Sequence, residues 1–372
     1  MAVTVAGALL LPGRAEPERG WLSVDGDRIV AMGEGRSDDP LAITADLIAP
    51  GFIDIHCHGG GRGEFTSADP ERIERAVATH RRHGTTTMNA SLVSATYDVL
   101  ERQIAALIPY VDAGILQGIH LEGPWISHDY CGAHDPATLR DPDPGDVERI
   151  LAVGDGRIDM VTIAPELPGA LESIARIVDS GAIAAVGHTA ANAEVTRAAV
   201  DAGARVATHL FNAMPPLLHR AAGPVGVLLS DSRVWVEIIA DGVHVEPDVV
   251  DLALAAAEGR GVLITDAMAA AGAGDGDYRI GDLNVQVRDG AARLASNGSL
   301  AGSTLTMDRA VRRTVNLAGR PLGDAVRAAT ATPAAVLGIA DRGTIAVGQR
   351  ADLVLMDDDL EVDRVMRAGE WI

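Results

Sequence analysis

Two histidines one residue apart, His56 and His58, close the run Gly51-Phe52-Ile53-Asp54-Ile55-His56-Cys57-His58. Side chains alternate along a strand, so both imidazoles project to one face and Cys57 to the other. Two such rings can hold one divalent cation, although a single His-x-His is read equally well as an ordinary hydrogen-bonding pair. Other residues of ligand type close other apolar runs. They are Glu122 in Ile119-His120-Leu121-Glu122, His188 in Val186-Gly187-His188, His209 in Ala207-Thr208-His209, and Asp266 in Ile264-Thr265-Asp266. A further run leads into Asp241-Gly242-Val243-His244. Any one of these could be a satisfied core residue or a helix cap. As a set, four His with one Glu and one Asp suit a divalent cation such as Zn, Fe, Co or Mn.

Residues more than 200 positions apart meet only if the fold collects strand ends in one place. Eight short, nearly all-apolar segments are expected as strands: 51–56, 85–90, 114–121, 159–164, 182–186, 205–208, 234–240 and 262–265. Amphipathic segments alternate with them. In one, Asp69 caps a helix begun by Pro70, Ile73 and Val77 recur one turn apart, and Gly84 ends it. Segments 191–202 and 247–258 read the same way. Apolar strands alternating with helices predict a parallel (β/α)8 TIM barrel, with an open doubly wound sheet as the rival. The strand-end ligands favour the barrel, because a barrel carries its reactive groups around one mouth at the strands' carboxyl ends. His120 is expected behind the ligands or in the core, His80 and His83 on a solvated helix face, and Cys57 as a small packing residue.

The chain ends have a different texture. Val3-Thr4-Val5, Trp21-Leu22-Ser23-Val24 around the turn Asp25-Gly26-Asp27, Thr344–Gly348, Ala351–Met356 and Val365–Gly369 are short and alternating. Neither end can bury a face alone. Residues 1–50 and 343–372 are therefore expected to form one small β-sandwich, with 51–342 as the barrel.

Composition narrows the partners. Of 372 residues, 47% are apolar, enough for a large core, and the net charge of −21 argues against nucleic acid or an anionic membrane. No apolar run is long enough to span a bilayer, no signal-peptide pattern opens the chain, and two cysteines make no disulfide framework. A cytoplasmic location is the expectation. All 31 basic residues are Arg. Without Lys, a Schiff base, a Walker-type phosphate loop and a carbamoylated-lysine metal bridge are excluded.

The pattern resembles the amidohydrolase superfamily, and within it the N-acetylglucosamine-6-phosphate deacetylase family, along nearly the whole chain. The likeness rests on Pro50–Asp54, His120-Leu121-Glu122-Gly123-Pro124, Ala164-Pro165-Glu166, Gly187-His188-Thr189, Thr208–Met214, Ala240–His244, Thr265-Asp266-Ala267 and Leu300-Ala301-Gly302-Ser303. It implies metal-dependent hydrolysis of an acetamide, with one or two divalent ions. Glu122, His188 and His209 would hold the main ion, and His56 and His58 a second. Metal lowers the pKa of water to make the nucleophile, and Asp266 would be the general base and then the acid. His134 or His244 would polarise the carbonyl.

The same resemblance implies a phosphosugar substrate, gripped without Lys by Asn212, Ala213 and Arg220, with Ala133, His134, His244, Leu300, Ala301 and Gly302 around it. The loop Ile126–His134, which carries Cys131, could close over the mouth, and a homodimer is implied. Three alternatives stay open: an N-acetylgalactosamine 6-phosphate deacetylase, an amidohydrolase of a cyclic amide, and an inactive amidohydrolase-like scaffold.

Overall fold

Eight strands form one parallel sheet in sequential order: β1 (Phe52–Asp54), β2 (Thr85–Val93), β3 (Gly118–Glu122), β4 (Ile158–Ile163), β5 (Ile183–Val186), β6 (Val206–Ala207), β7 (Trp235–Ile239) and β8 (Gly261–Ile264). This is a computed structural model, and it describes residues 2–372. All nine residues of β2 and all five of β3 are buried, as expected of strands covered on both faces. Closure between β8 and β1 comes from side chain and strand-end backbone. Asp54 accepts from the Thr265 hydroxyl at 2.5 Å, Asp266 N–H donates to His56 O at 2.9 Å, and His58 N–H to Ala267 O at 2.8 Å. Burial pushes the Asp54 carboxyl up to about 6, against the lowering effect of its Thr265 hydrogen bonds.

The predicted helix forms over Pro70–Arg82, with Asp69 accepting from Glu71 N–H. Gly84 follows at φ +87°, and a Cβ there would lie 2.7 Å from the Phe52 ring, so glycine lets the helix end close onto β1. The other two expected helices run Ala193–Asp201, capped by Asn192, and Pro247–Ala256. The third strand starts at Gly118 rather than 114. Helix Tyr97–Asp112 runs on to the turn at Gly114, whose φ is +65°.

The chain ends share one seven-stranded sheet, ordered 370–371, 362–367, 353–356, 43–50, 3–9, 18–25, 28–34. The sheet curls until Arg28 bridges Arg350, and it encloses Val5, Leu22, Ile48, Leu353 and Met366. Strand Ile43–Pro50 leads through Gly51 into β1, and a Cβ at Gly51 would lie 2.2 Å from Thr86 Oγ1. Residues 344–348 are not a strand, although Ile345 is buried in this core. A three-stranded antiparallel sheet, Gly276–Ile280, Leu283–Arg288 and Ala291–Leu294, follows β8 and was not expected from the sequence. Its inward residues Tyr278, Ile280, Val285 and Val287 pack with Val93 and Met268 beside the barrel mouth.

Candidate metal centre and cavity

The strand ends converge. Glu122 Oε1 lies 2.9 Å from His209 Nε2 and 3.1 Å from His188 Nε2, and those nitrogens are 3.0 Å apart. Glu122 Oε2 reaches the other side, 3.2 Å from His58 Nε2. There His56 Nε2 and His58 Nε2 are 3.1 Å apart, with Asp266 Oδ1 at 3.5 and 3.3 Å from them. Spacings near 3 Å are those of neighbouring ligands around an ion bound at about 2 Å. His188, His209 and Asp266 take φ values of +46°, +27° and +47°. Left-handed backbone is uncommon outside glycine, and its concentration at β5, β6 and β8 ends marks turns held for the sake of their side chains.

The rings are oriented from behind. His188 Nδ1 faces Tyr130 O at 2.8 Å, His58 Nδ1 faces Ser91 O at 3.2 Å, and His56 Nδ1 faces a Glu237 oxygen at 3.1 Å. Each acceptor holds a ring proton on Nδ1 and turns Nε2 inward, the arrangement of metal-ligating imidazoles. His134 is the opposite. Its Nδ1 accepts from Ser94 N–H at 3.1 Å, so Nε2 carries the proton and points it at Glu122 Oε2, 3.4 Å away. His134 lies near Glu122 and His188 at ligand spacing, but it presents a donor and not a lone pair. This donor set fits a divalent metal, with His134 left to hydrogen-bond whatever sits beside it.

Burial opposes charge at every group here, and the neighbours decide which groups are charged. Burial raises the Asp266 carboxyl, but His56 and His58 outweigh it and hold the carboxyl at about 2; at Glu122 burial is outweighed by His56 together with His134, His188 and His209. Burial likewise lowers His58, yet its bonds to Asp266 and Glu122 take it up to about 9. His134 stays neutral, pushed down by burial to about 4. In His244 burial is overcome by Asp241, bonded to Nδ1 at 2.7 Å, and the ring is raised.

The cavity above these groups encloses about 380 Å³, within the range of small-molecule sites. His58, Glu122, His188, His209 and Asp266 form its floor, and Ala133, His134, Asn212, Ala213, His244, Leu300 and Gly302 are in its wall. The loop after β3 supplies Asp129, Tyr130 and Gly132; a Cβ at Gly132, φ +57°, would approach the His188 ring at 3.1 Å. Ile280, from the unexpected three-stranded sheet, completes another side.

Three expectations need correction, those for Ala301, His80 and His83. Ala301 is fully buried behind the wall formed by its neighbours, with its N–H on Ala292 O. Arg220, whose service to its own or a neighbouring copy's site the sequence leaves open, is exposed on its loop and does not line the cavity of its own chain. His80 is fully buried, with Nε2 2.8 Å from Gly59 O and 3.3 Å from Cys57 Sγ, because its helix packs on the β1 end. His83 meets Asp308 at 2.9 Å. His120 lies behind the site as expected, between Ser91 Oγ and Thr162 Oγ1, its ring edge-on to His56. Cys57 is a buried packing residue, and Cys131 is a half-buried loop thiol raised by burial. Sequence reading missed Glu237. It lies in the apolar run Trp235–Ile239, and its only signal was a carboxylate inside a strand otherwise covered on both faces.

A TIM barrel whose strand ends carry imidazoles and carboxylates around one cavity defines a metal-dependent hydrolase class. The chain belongs to the amidohydrolase family, which it matches over residues 47–372. It is similar to an N-acetylglucosamine-6-phosphate deacetylase variant from Mycobacterium smegmatis, solved in complex with N-acetyl-D-glucosamine-6-phosphate. The two superimpose with a TM-score of 0.96 at 48% identity, over 100% of this chain and 99% of the other. It is also 35% identical to an N-acetylgalactosamine-6-phosphate deacetylase of Escherichia coli O157:H7, over 95% of this chain and 96% of the relative. A third relative, an N-acetylglucosamine-6-phosphate deacetylase of Lysinibacillus sphaericus, is 32% identical over 99% and 95%.

Proposed function

We propose that this enzyme hydrolyses the acetamide of N-acetylglucosamine 6-phosphate, giving glucosamine 6-phosphate and acetate. The observation that carries the reading is the meeting of Glu122, His188 and His209 at mutual distances of 2.9–3.1 Å beside Asp266, in a cavity of small-molecule size. Glu122, His188 and His209 would hold the main ion, with His56 and His58 at a second position. Zn, Fe, Co and Mn all suit this donor set. Such an ion, when bound, acidifies water and polarises the scissile carbonyl.

The chain's own groups do the rest. Asp266, ionised, accepts a proton at its carboxylate and returns it to the amide nitrogen, since an amine departs readily only once protonated. His134, neutral and with its proton on Nε2, donates to the carbonyl oxygen as negative charge develops there. His244, bonded through Nδ1 to Asp241, and the backbone N–H groups near Asn212 and Ala213 receive the substrate's polar end. Arg220 of a neighbouring copy would add charge for the phosphate, which makes a homodimer part of the proposal.

The similarity to an N-acetylgalactosamine-6-phosphate deacetylase favours a second reading, the epimeric substrate. Acetate release from both phosphosugars and from unphosphorylated N-acetylglucosamine, before and after chelation and metal return, separates the cases. Turnover of N-acetylglucosamine 6-phosphate that chelation abolishes and metal restores is expected. A chelator-insensitive rate, or none with either phosphosugar, would overturn the proposal.

A further inference from the structure

Glu237 is fully buried in β7, beneath the cavity floor. One of its oxygens, Oε2, is shared: it lies 3.1 Å from His56 Nδ1 and 3.1 Å from the backbone nitrogen of His209. The other, Oε1, is buried with no hydrogen-bond partner among the described residues. A carboxylate placed this way is costly to a fold unless a positive charge compensates it. No Arg is paired with Glu237, Glu122 or Asp266 among the described residues; their only ion-pair partners are imidazoles. The chain has no Lys.

We infer that Glu237 is a positioning residue that makes the His56–His58 arm of the cavity a second cation site: it holds the His56 proton on Nδ1, aims Nε2 at the ion, and adds the carboxylate charge that a second ion answers. This rests on the proposed metal-dependent function. The geometry supports it in two ways. The Nδ1 bond turns His56 Nε2 toward His58 Nε2 and Asp266 Oδ1. The same oxygen braces the left-handed turn at His209, so a single group ties the two arms of the site together.

The test uses the purified full-length enzyme stripped of metal, with Zn²⁺ as the probe, in Glu237→Gln and Glu237→Met. Gln keeps an acceptor oxygen for His56 and His209 and removes the charge; Met removes both. Calorimetric titration of the parent is expected to show two ions. In Glu237→Gln the weaker ion should lose at least tenfold in affinity, the scale seen when the partner behind a ligand is removed, while the tighter ion changes by less than threefold. Metal-free Glu237→Gln should melt at the same or a higher temperature than the metal-free parent, because a buried charge has gone. Glu237→Met should lose more of the weaker ion's affinity than Glu237→Gln.

A structural prop would give the reverse, a metal-free variant that melts several degrees lower and loses both ions equally. That result, or two ions bound by Glu237→Gln with parental affinity, would overturn the inference while leaving the metal-dependent reading intact; a parent that binds no ion would overturn both. A measurement on the parent itself keeps the inference testable if the variants do not fold. ¹⁵N spectra of histidine-labelled, Zn²⁺-loaded enzyme, with His56 assigned through His56→Gln, should place its proton on Nδ1, and a proton on Nε2 refutes the assignment.

Discussion

Replacing Asp266 by Asn keeps the shape of the side chain and removes its capacity to take a proton. Asn is the suitable probe because residue 266 stands at φ +47°, a region Asn tolerates better than most residues. The carboxylate oxygen removed lies 3.3 Å from His58 Nε2 and 3.5 Å from His56 Nε2, at the rim of the candidate metal centre. Positioned acid–base groups contribute roughly 10²–10⁴ in rate, and here one group serves both the attack and the departure of a poor leaving group. The upper part of that range is expected: a loss in kcat of about 10³–10⁴, or ~4–5.5 kcal/mol of barrier. Glu122, His188 and His209 are untouched, so the main ion should stay. Acetate release at saturating substrate, measured together with metal content by mass spectrometry, reads both. A variant that retains its metal and turns over within tenfold of the parent refutes the proton-transfer role. One that loses the main ion shows instead that Asp266 acts chiefly as a ligand.

Other groups give further tests. His134→Asn should keep full metal content and lose about 10²–10³ in kcat, as for a removed oxyanion donor, whereas His188→Asn should lose metal; metal loss in the His134 variant would make that residue a ligand. Arg220→Ala should raise KM for the phosphorylated substrate about tenfold or more and leave kcat nearly unchanged, the pattern of lost ground-state binding. An unchanged KM would move phosphate recognition elsewhere. Asp159, whose carboxyl burial pushes up to about 7, bears on stability alone. Its folded form prefers the proton, so its contribution is full below the ordinary carboxylate range and is lost as pH rises toward 7. Asp159→Asn should therefore stabilise the protein by roughly 4 kcal/mol at pH 8 and little at pH 4, read from denaturant midpoints; equal effects at both pH values would contradict the assignment.

The candidate ligands were legible from sequence because each sits where an apolar run stops. A strand covered on both faces admits a polar side chain mainly at its end, so His56, His58, Glu122, His188, His209 and Asp266 stood out without coordinates. The eight strands and the pairing of the two chain ends were legible for the same reason, through continuous apolar runs in the first case and alternation in the second. The sheet of 276–294 was overlooked because its alternating pattern follows the last barrel strand, where a helix was the expected successor.

Sequence by itself thus determined the barrel, the donor types and the exclusion of lysine chemistry, since these follow from residue identity and one-dimensional period. Only the tertiary structure decided the protonation and facing of each ring. Ser94 N–H makes His134 a donor, Tyr130 O and Ser91 O turn His188 and His58 inward, and Glu237 does the same for His56 from 181 residues away. It also withdrew Ala301 from the wall and Arg220 from its own cavity, and it buried His80 against Cys57. The physical reason is common to all of these. A strand's period states which way a side chain leaves the backbone, but a ring's proton is placed by the acceptor behind it, and that acceptor belongs to another strand or loop.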